Sequence, residues 1–94
     1  MEHELKIWPQ YYCRVADGSK TFEVRDNDRG FQPGDTVKLL WFSPETNRYD
    51  PHIDGKRIYP ILTFKIGYVL PLDGQRVVFS LLPLTPSASD LKEE

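Results

Sequence analysis

Alternating apolar segments, closely spaced turn signals and one short helical stripe predict a mainly β (α+β) domain. The expected architecture is a small open or distorted β-barrel of five to six strands with one or two short helices. Three observations carry this. Period-two alternation recurs through a chain of only 94 residues. Pro33-Gly34, Asp54-Gly55 and Asp73-Gly74 punctuate it at turn positions. Helical periodicity is confined to the segment after Pro9. Closing such a sheet on itself removes edges that a domain this small would otherwise expose.

Taken in order, His3 to Ile7 alternates as a first strand and stops at Trp8-Pro9. Pro9 suits a first helical position, where its missing N–H is not needed. Trp8, Tyr12, Val15 and Ala16 then share one helical face, and Asp17-Gly18 ends it with Gly18 as a left-handed cap. In the next strand Phe22 and Val24 alternate with Thr21, Glu23 and Arg25, which sends the apolar pair to the core and the polar trio to the opposite face. Gln32-Pro33-Gly34-Asp35 has type II turn chemistry and launches Thr36 to Phe42, apolar on both faces and therefore central. The polar segment 43–57 reads as a protruding hairpin or ordered loop, with Asp54-Gly55 as a two-residue turn. Ile58 to Leu70 reads as a long strand with Ile58, Leu62, Phe64, Ile66 and Tyr68 in phase. Gly67 marks a bulge or a close backbone approach within it. Asp73-Gly74 turns the chain into Gln75 to Leu82. The domain covers residues 1–83, and 84–94, rich in Pro, Ser and acidic residues, reads as a disordered acidic tail.

Composition narrows the function. An apolar fraction of 39% with 13% aromatics supports one core. Net charge is −2, and three acids against one base in Asp90–Glu94 account for it, leaving residues 1–89 neutral. A broad, sequence-indifferent nucleic-acid binder would be clearly basic, so any nucleic-acid contact must be local and of the order of one nucleotide. No apolar run reaches membrane-spanning length, and Met1-Glu2-His3-Glu4 is unlike a basic signal-peptide start. Cys13 has no partner for an internal disulfide, which fits a reducing cytoplasm, and is expected as a small buried side chain on the helix. His3 and His52 are far apart, and Asp50-Pro51-His52-Ile53-Asp54 lacks ligand spacing, so no metal and no cofactor is expected.

The run Lys20 to Arg29 holds three cations and three carboxylates. Lys20 has the wrong parity to join Glu23 and Arg25 as a strand residue, so it belongs to the turn, where its stem reaches either face. A cation, a carboxylate and a guanidinium thus converge at the mouth of a strand. One reading is a structural Glu23–Arg25 ion pair with Lys20 in solvent. The other is a site. There, Arg25 forks onto a phosphate or stacks on a base, and Glu23 accepts from an exocyclic amine or acts as a general base. Lys20 neutralises a phosphate or a developing oxyanion. Trp8 and Phe31, near the same end, offer stacking platforms, although Trp8 fits better as a core plug between first strand and helix. Asp26-Asn27-Asp28-Arg29 reads as Asx-turns leaving the strand, or as a cleft rim through Asn27 and Arg29. Arg48, Lys56 and Arg57 form a small basic cluster on the 43–57 segment.

Gly18-x-Lys20-x-x-Glu23-x-Arg25, placed directly after the first helix, resembles the G-x-K-x-x-E-x-R motif of the ASCH domain, a branch of the PUA-like superfamily. The Pro33-Gly34-Asp35 turn and the start His3-Glu4-Leu5-Lys6-Ile7-Trp8-Pro9 are similar to a short phage- and bacteria-associated branch with an additional hairpin, here 43–57. The resemblance implies a PUA-like barrel over roughly residues 3–82, with a cleft between barrel and first helix suited to RNA or a modified nucleobase. Some ASCH proteins deacetylate a modified cytidine with a lysine, a threonine and a distant glutamate. Lys20 matches the lysine, Glu23 stands in the threonine's place, and Ile58–Leu82 contains no Glu.

The leading expectation is therefore a cytoplasmic RNA- or nucleotide-binding module whose ligand residues are Trp8, Lys20, Thr21, Glu23, Arg25, Asn27 and Arg29. The second is a small amidohydrolase or ribonuclease with Lys20 and Glu23 as catalytic groups. The third is a protein-interaction module that engages its partner through residues 43–57.

Overall fold

The structure, a computed structural model, describes residues 1–50, 52–53 and 55–84. Apart from Leu84, the tail expected over 84–94 lies outside the described residues, as does Asp54 of the expected turn. The chain runs β1 (Glu2–Ile7), α1 (Pro9–Ala16), β2 (Phe22–Asp26), β3 (Thr36–Ser43), β4 (Arg48–Tyr49), β5 (His52–Ile53), β6 (Lys56–Arg57), β7 (Leu62–Pro71) and β8 (Arg76–Pro83). The sheet order is β1-β3-β7-β8-β2, with β4 added beside the end of β3. β1 and β3 pair in parallel, and the other neighbours pair antiparallel. The mainly β class holds, and the sheet is open: its outermost strands, β1 and β2, do not pair with each other.

Pro9 occupies the first turn of α1, and Gly18, at φ +85°, follows its C-cap. Tyr12 and Val15 face the core as their spacing predicts. Trp8, Ala16 and Cys13 do not: the helix has only two turns, so one narrow stripe meets the sheet and its flanks face water. Gly34 at φ +92° and the Asp35 N–H···O=C Gln32 bond of 3.1 Å realise the predicted turn before β3. Val37 and Leu39 of β3 are fully buried.

Three expectations are corrected. The alternation in β2 is right in period and inverted in direction. Glu23 and Arg25 pair with Phe79 and Val77, which face the core, whereas Phe22 and Val24 pair with Ser80 and Val78 on the outer face. The strand's parity is set by its neighbour's register rather than by its own hydrophobic pair. Phe22, Val24, Tyr68, Leu70 and Leu82 consequently leave the outer face of this half-sheet apolar.

The long strand begins at Leu62, not Ile58. Pro60 has no N–H for a ladder, and its carbonyl instead accepts from the Tyr12 hydroxyl at 2.6 Å, tying 58–61 back to the helix. Within β7 the register slips between Ile66 and Val69, so Ile66 is buried and Tyr68, expected in phase, is 65% exposed. Gly67 lies at that bulge, and a Cβ there would meet Ser80 Oγ at 2.8 Å and Leu82 Cδ1 at 2.9 Å. Segment 43–57, expected as a protruding hairpin or ordered loop, carries two short pairings: β4 folds back on β3, and β5 pairs with β6 in a separate ladder.

Phe31, weighed as a stacking platform, is 3% exposed and wedged between His3 and Phe79 with ring centroids 4.8 Å from each. His3 Nε2 donates to Asp35 Oδ2 at 2.9 Å, and the Gln32 amide donates to the same oxygen at 3.1 Å. This buried pair fastens β1 to the turn before β3.

Two outcomes follow from this packing. Gly67→Ala should lower stability by about 1–3 kcal/mol, the usual cost of forcing an extra methyl into a filled site, read as a shifted urea midpoint with unchanged slope. Asp35's carboxyl lies below its ordinary value, chiefly because His3 donates to it. Its contribution to stability is therefore complete above the unfolded value, about 4, and is lost as pH falls through the folded value. Thermal midpoints should drop below about pH 4 in the native protein. Asp35→Asn should start from a lower plateau and follow a flatter acid limb.

Candidate functional site

The end of α1 fixes the first member of the site. Gly18 donates to the Val15 carbonyl at 3.2 Å, and the Lys20 amide donates to the Arg14 carbonyl at 2.9 Å, so Lys20's backbone is anchored to the last helical turn. Ser19 stabilises the same corner: its hydroxyl and amide donate to Asp17 and hold that carboxyl below its usual range. From there Lys20 swings inward, as its turn position predicts. Its Nζ donates to Glu23 Oε2 at 2.6 Å and to the Phe22 carbonyl at 2.6 Å.

Arg25 approaches Glu23 from the other side. Its Nε donates to Oε1 at 3.0 Å, and Nη2 lies 2.9 Å from the same oxygen. Nη2 also donates to the Lys6 carbonyl on β1 at 2.9 Å, crossing the gap that β-pairing leaves open. Arg29 repeats the crossing, with Nη1 donating to the Glu4 carbonyl at 3.0 Å. Two arginines therefore bridge the seam between the outer strands, and a carboxylate 4% exposed holds the first of them. A buried carboxylate is tolerable only when paired and hydrogen-bonded, and Glu23 has a cation on each oxygen.

Above this charged floor the seam widens into a cleft of about 450 Å³ lined by Lys6, Ile7, Trp8, Tyr11, Lys20, Glu23, Val24 and Arg25. Clefts of several hundred Å³ suit small organic ligands. Trp8 and Tyr11, three residues apart at the start of the helix, stack with centroids 6.3 Å apart and an interplanar angle of 22°. Both rings are nearly half exposed, at 45% and 47%. They form an aromatic wall beside Lys20, whose Nζ lies 5.8 Å from the Tyr11 ring centre.

The expected residues divide. Trp8, Lys20, Glu23 and Arg25 meet in one cleft. Arg29 lines a second hollow that shares Lys6 and Arg25 with the first. Thr21 is exposed outside it and uses its carbonyl to accept from the Leu81 amide at 2.9 Å. Asn27 is structural: its side-chain oxygen accepts from the Phe31 amide at 3.2 Å and its own amide donates to Gln75. Of the basic cluster on 43–57, Arg57 lies 3.9 Å from buried Asp50. Tyr11 and Lys6 were not singled out by the sequence. The signal for Tyr11 was its position three residues after Trp8, hidden by reading the helix only for its buried face. Among the described residues no cluster of His, Cys, Asp and Glu could hold a metal ion, and no helix is long and apolar enough to cross a membrane.

Glu23→Ala should cost about 2–3 kcal/mol in urea unfolding, below the full cost of breaking a wholly buried pair because both cations reach water. Arg25→Lys should not substitute for arginine, since an ammonium cannot hold Glu23 and the Lys6 carbonyl with one rigid fork. Its mark would be faster amide exchange along β1 and β2.

No curated protein matches the chain. The model of a family described as a domain of unknown function, DUF3850, matches residues 2–75. That span takes in the whole lining of the cleft, and the chain belongs to this family.

Proposed function

We propose that the protein is a nucleotide-binding module that takes a base of single-stranded RNA, or a free modified nucleoside, in the cleft at the seam. The observation that carries the reading is the stacked Trp8–Tyr11 pair standing over the Lys20–Glu23–Arg25 floor. Each part has a counterpart on a nucleotide. An exposed aromatic face stacks on a base of any identity. A guanidinium donates a charge-assisted hydrogen bond to a phosphate, and Arg25 Nη1 has no hydrogen-bond partner among the described residues. Lys20 has used two of its three protons, leaving one for an anion.

The cleft is locally cationic although the chain carries net charge −2: Lys20 and Arg25 stand on its lining against the single carboxylate of Glu23. The resemblance of Gly18-x-Lys20-x-x-Glu23-x-Arg25 to the ASCH motif, and with it a PUA-like barrel, belongs to the same proposal, as does a cytoplasmic setting. Binding is favoured over hydrolysis because Glu23, the candidate base, is engaged by a cation on each oxygen. Its role is to aim Lys20 and Arg25.

The test is an amide-shift titration with adenosine, uridine and cytidine 5′-monophosphates and with N4-acetylcytidine. Saturable shifts should cluster at residues 6–11 and 20–25, with quenching of tryptophan fluorescence. Trp8→Ala should weaken binding by about 1–3 kcal/mol, the value of one base stacked on an aromatic ring. Added salt should weaken binding of the monophosphates by screening and leave that of N4-acetylcytidine, which carries no phosphate, unchanged. A folded protein whose shifts cluster on residues 43–57, or nowhere, would remove the nucleotide reading.

A further inference from the structure

The cleft does not end at Arg25. On the other side of that side chain lies a second hollow of about 420 Å³, lined by Glu4, Leu5, Lys6, Arg25, Arg29, Leu40 and Tyr49. The two hollows share Lys6 and Arg25 on their linings and are therefore neighbours along β1. The second repeats the chemistry of the first. Lys6, Arg25 and Arg29 outnumber the single carboxylate of Glu4. Tyr49 is 47% exposed and offers an aromatic ring, seated edge-on against Phe42 at 5.0 Å. Lys6 Nζ lies 4.4 Å from the Phe42 ring centre and 5.7 Å from that of Tyr49, which places the ammonium beside this second platform.

The spacing of the two arginines is set by the strand they cross to. Arg25 reaches the Lys6 carbonyl and Arg29 the Glu4 carbonyl, two residues apart on β1. Along an extended strand that separation is about 6.6 Å, comparable to one nucleotide step of an extended single strand. The two guanidinium groups are thus anchored at a spacing that suits consecutive phosphates, and an aromatic ring lines each hollow: Trp8 the first, and Tyr49 the second.

We infer that the two hollows act as one groove that holds two phosphodiester-linked nucleotides, the first at Trp8 and Lys20 and the second between Arg29 and Tyr49. The second subsite uses a strand, β4, that belongs to the 43–57 segment, so that segment acts as part of the ligand groove rather than as a surface for a protein partner. This inference rests on the nucleotide reading of the first hollow. It adds that the ligand is an oligonucleotide rather than a mononucleotide.

The two can fail separately. The native protein is titrated with pA, pApA and d(pApA) at low salt, followed by amide shifts. If the inference is right, pApA binds at least tenfold more tightly than pA and adds shifts at residues 4, 29 and 49. Arg29→Gln and Tyr49→Ala then bring pApA back to the affinity of pA. A preference for pApA over d(pApA) identifies RNA as the source, and equal affinity identifies any single strand. Equal affinity of pA and pApA for the native protein overturns the second subsite while leaving the first. Absence of shifts with pA at residues 8, 11, 20 and 25 overturns both. The comparison on the native protein does not depend on either variant folding.

Discussion

Glu23 lies on the core-facing side of an edge strand and is 4% exposed, a position that is unfavourable for a carboxylate unless it is paired. Lys20 and Arg25 supply that pairing, and each is recruited from a different constraint. Lys20 comes from the turn whose amide is tied to the end of α1, and Arg25 comes from the same face of β2 as Glu23. Because the carboxylate fixes both, Arg25 can extend a second donor to β1 and tie together strands that share no backbone ladder. The openness of the sheet and the existence of a cleft are therefore one fact. A closed barrel would pair β1 with β2 and leave no room for the seam, whereas an unbridged one would let water into Val77 and Phe79 behind it.

The same arrangement explains why a chain with net charge −2 can present a cationic surface. Four of its cations, Lys6, Lys20, Arg25 and Arg29, line two hollows that share Lys6 and Arg25, while several carboxylates are committed elsewhere to caps and ion pairs. Asp35 holds His3, and Asp73 caps the β7–β8 turn with Arg76. A short anionic ligand responds to the local field within about a Debye length, ~8–10 Å at physiological salt, rather than to the net charge of the molecule.

Much of the fold was legible in the sequence. Pro9, Gly18, Pro33-Gly34 and Asp73-Gly74 each impose a local backbone geometry, so the helix and most turns were placed within a residue or two. Central burial of β3 followed from its two apolar faces. What could not be read was direction. Phe22-x-Val24 announces a strand and a parity, but the face that turns inward is decided by pairing with Val77 and Phe79, some fifty residues away. The bulge at Gly67 likewise reverses the phase of Tyr68 without altering the composition of β7. At the site, the sequence brought together Lys20, Glu23 and Arg25 because turn and strand geometry are local. It overreached at Thr21, Asn27 and Phe31, whose roles depend on contacts with β8, the turn before it and His3. Tyr11 and Lys6 were missed because a helix read for its buried face conceals what its exposed face offers.

The central claim is that the aromatic pair and the seam cations act on one ligand. Intermolecular NOEs from the base and ribose protons of bound adenosine 5′-monophosphate test it most directly. The account predicts contacts from the base to the Trp8 and Tyr11 rings, with the ribose near Ile7. NOEs confined to Phe22, Tyr68 and Leu70 on the outer face would contradict it, because they would place the ligand on the side of the sheet away from Glu23.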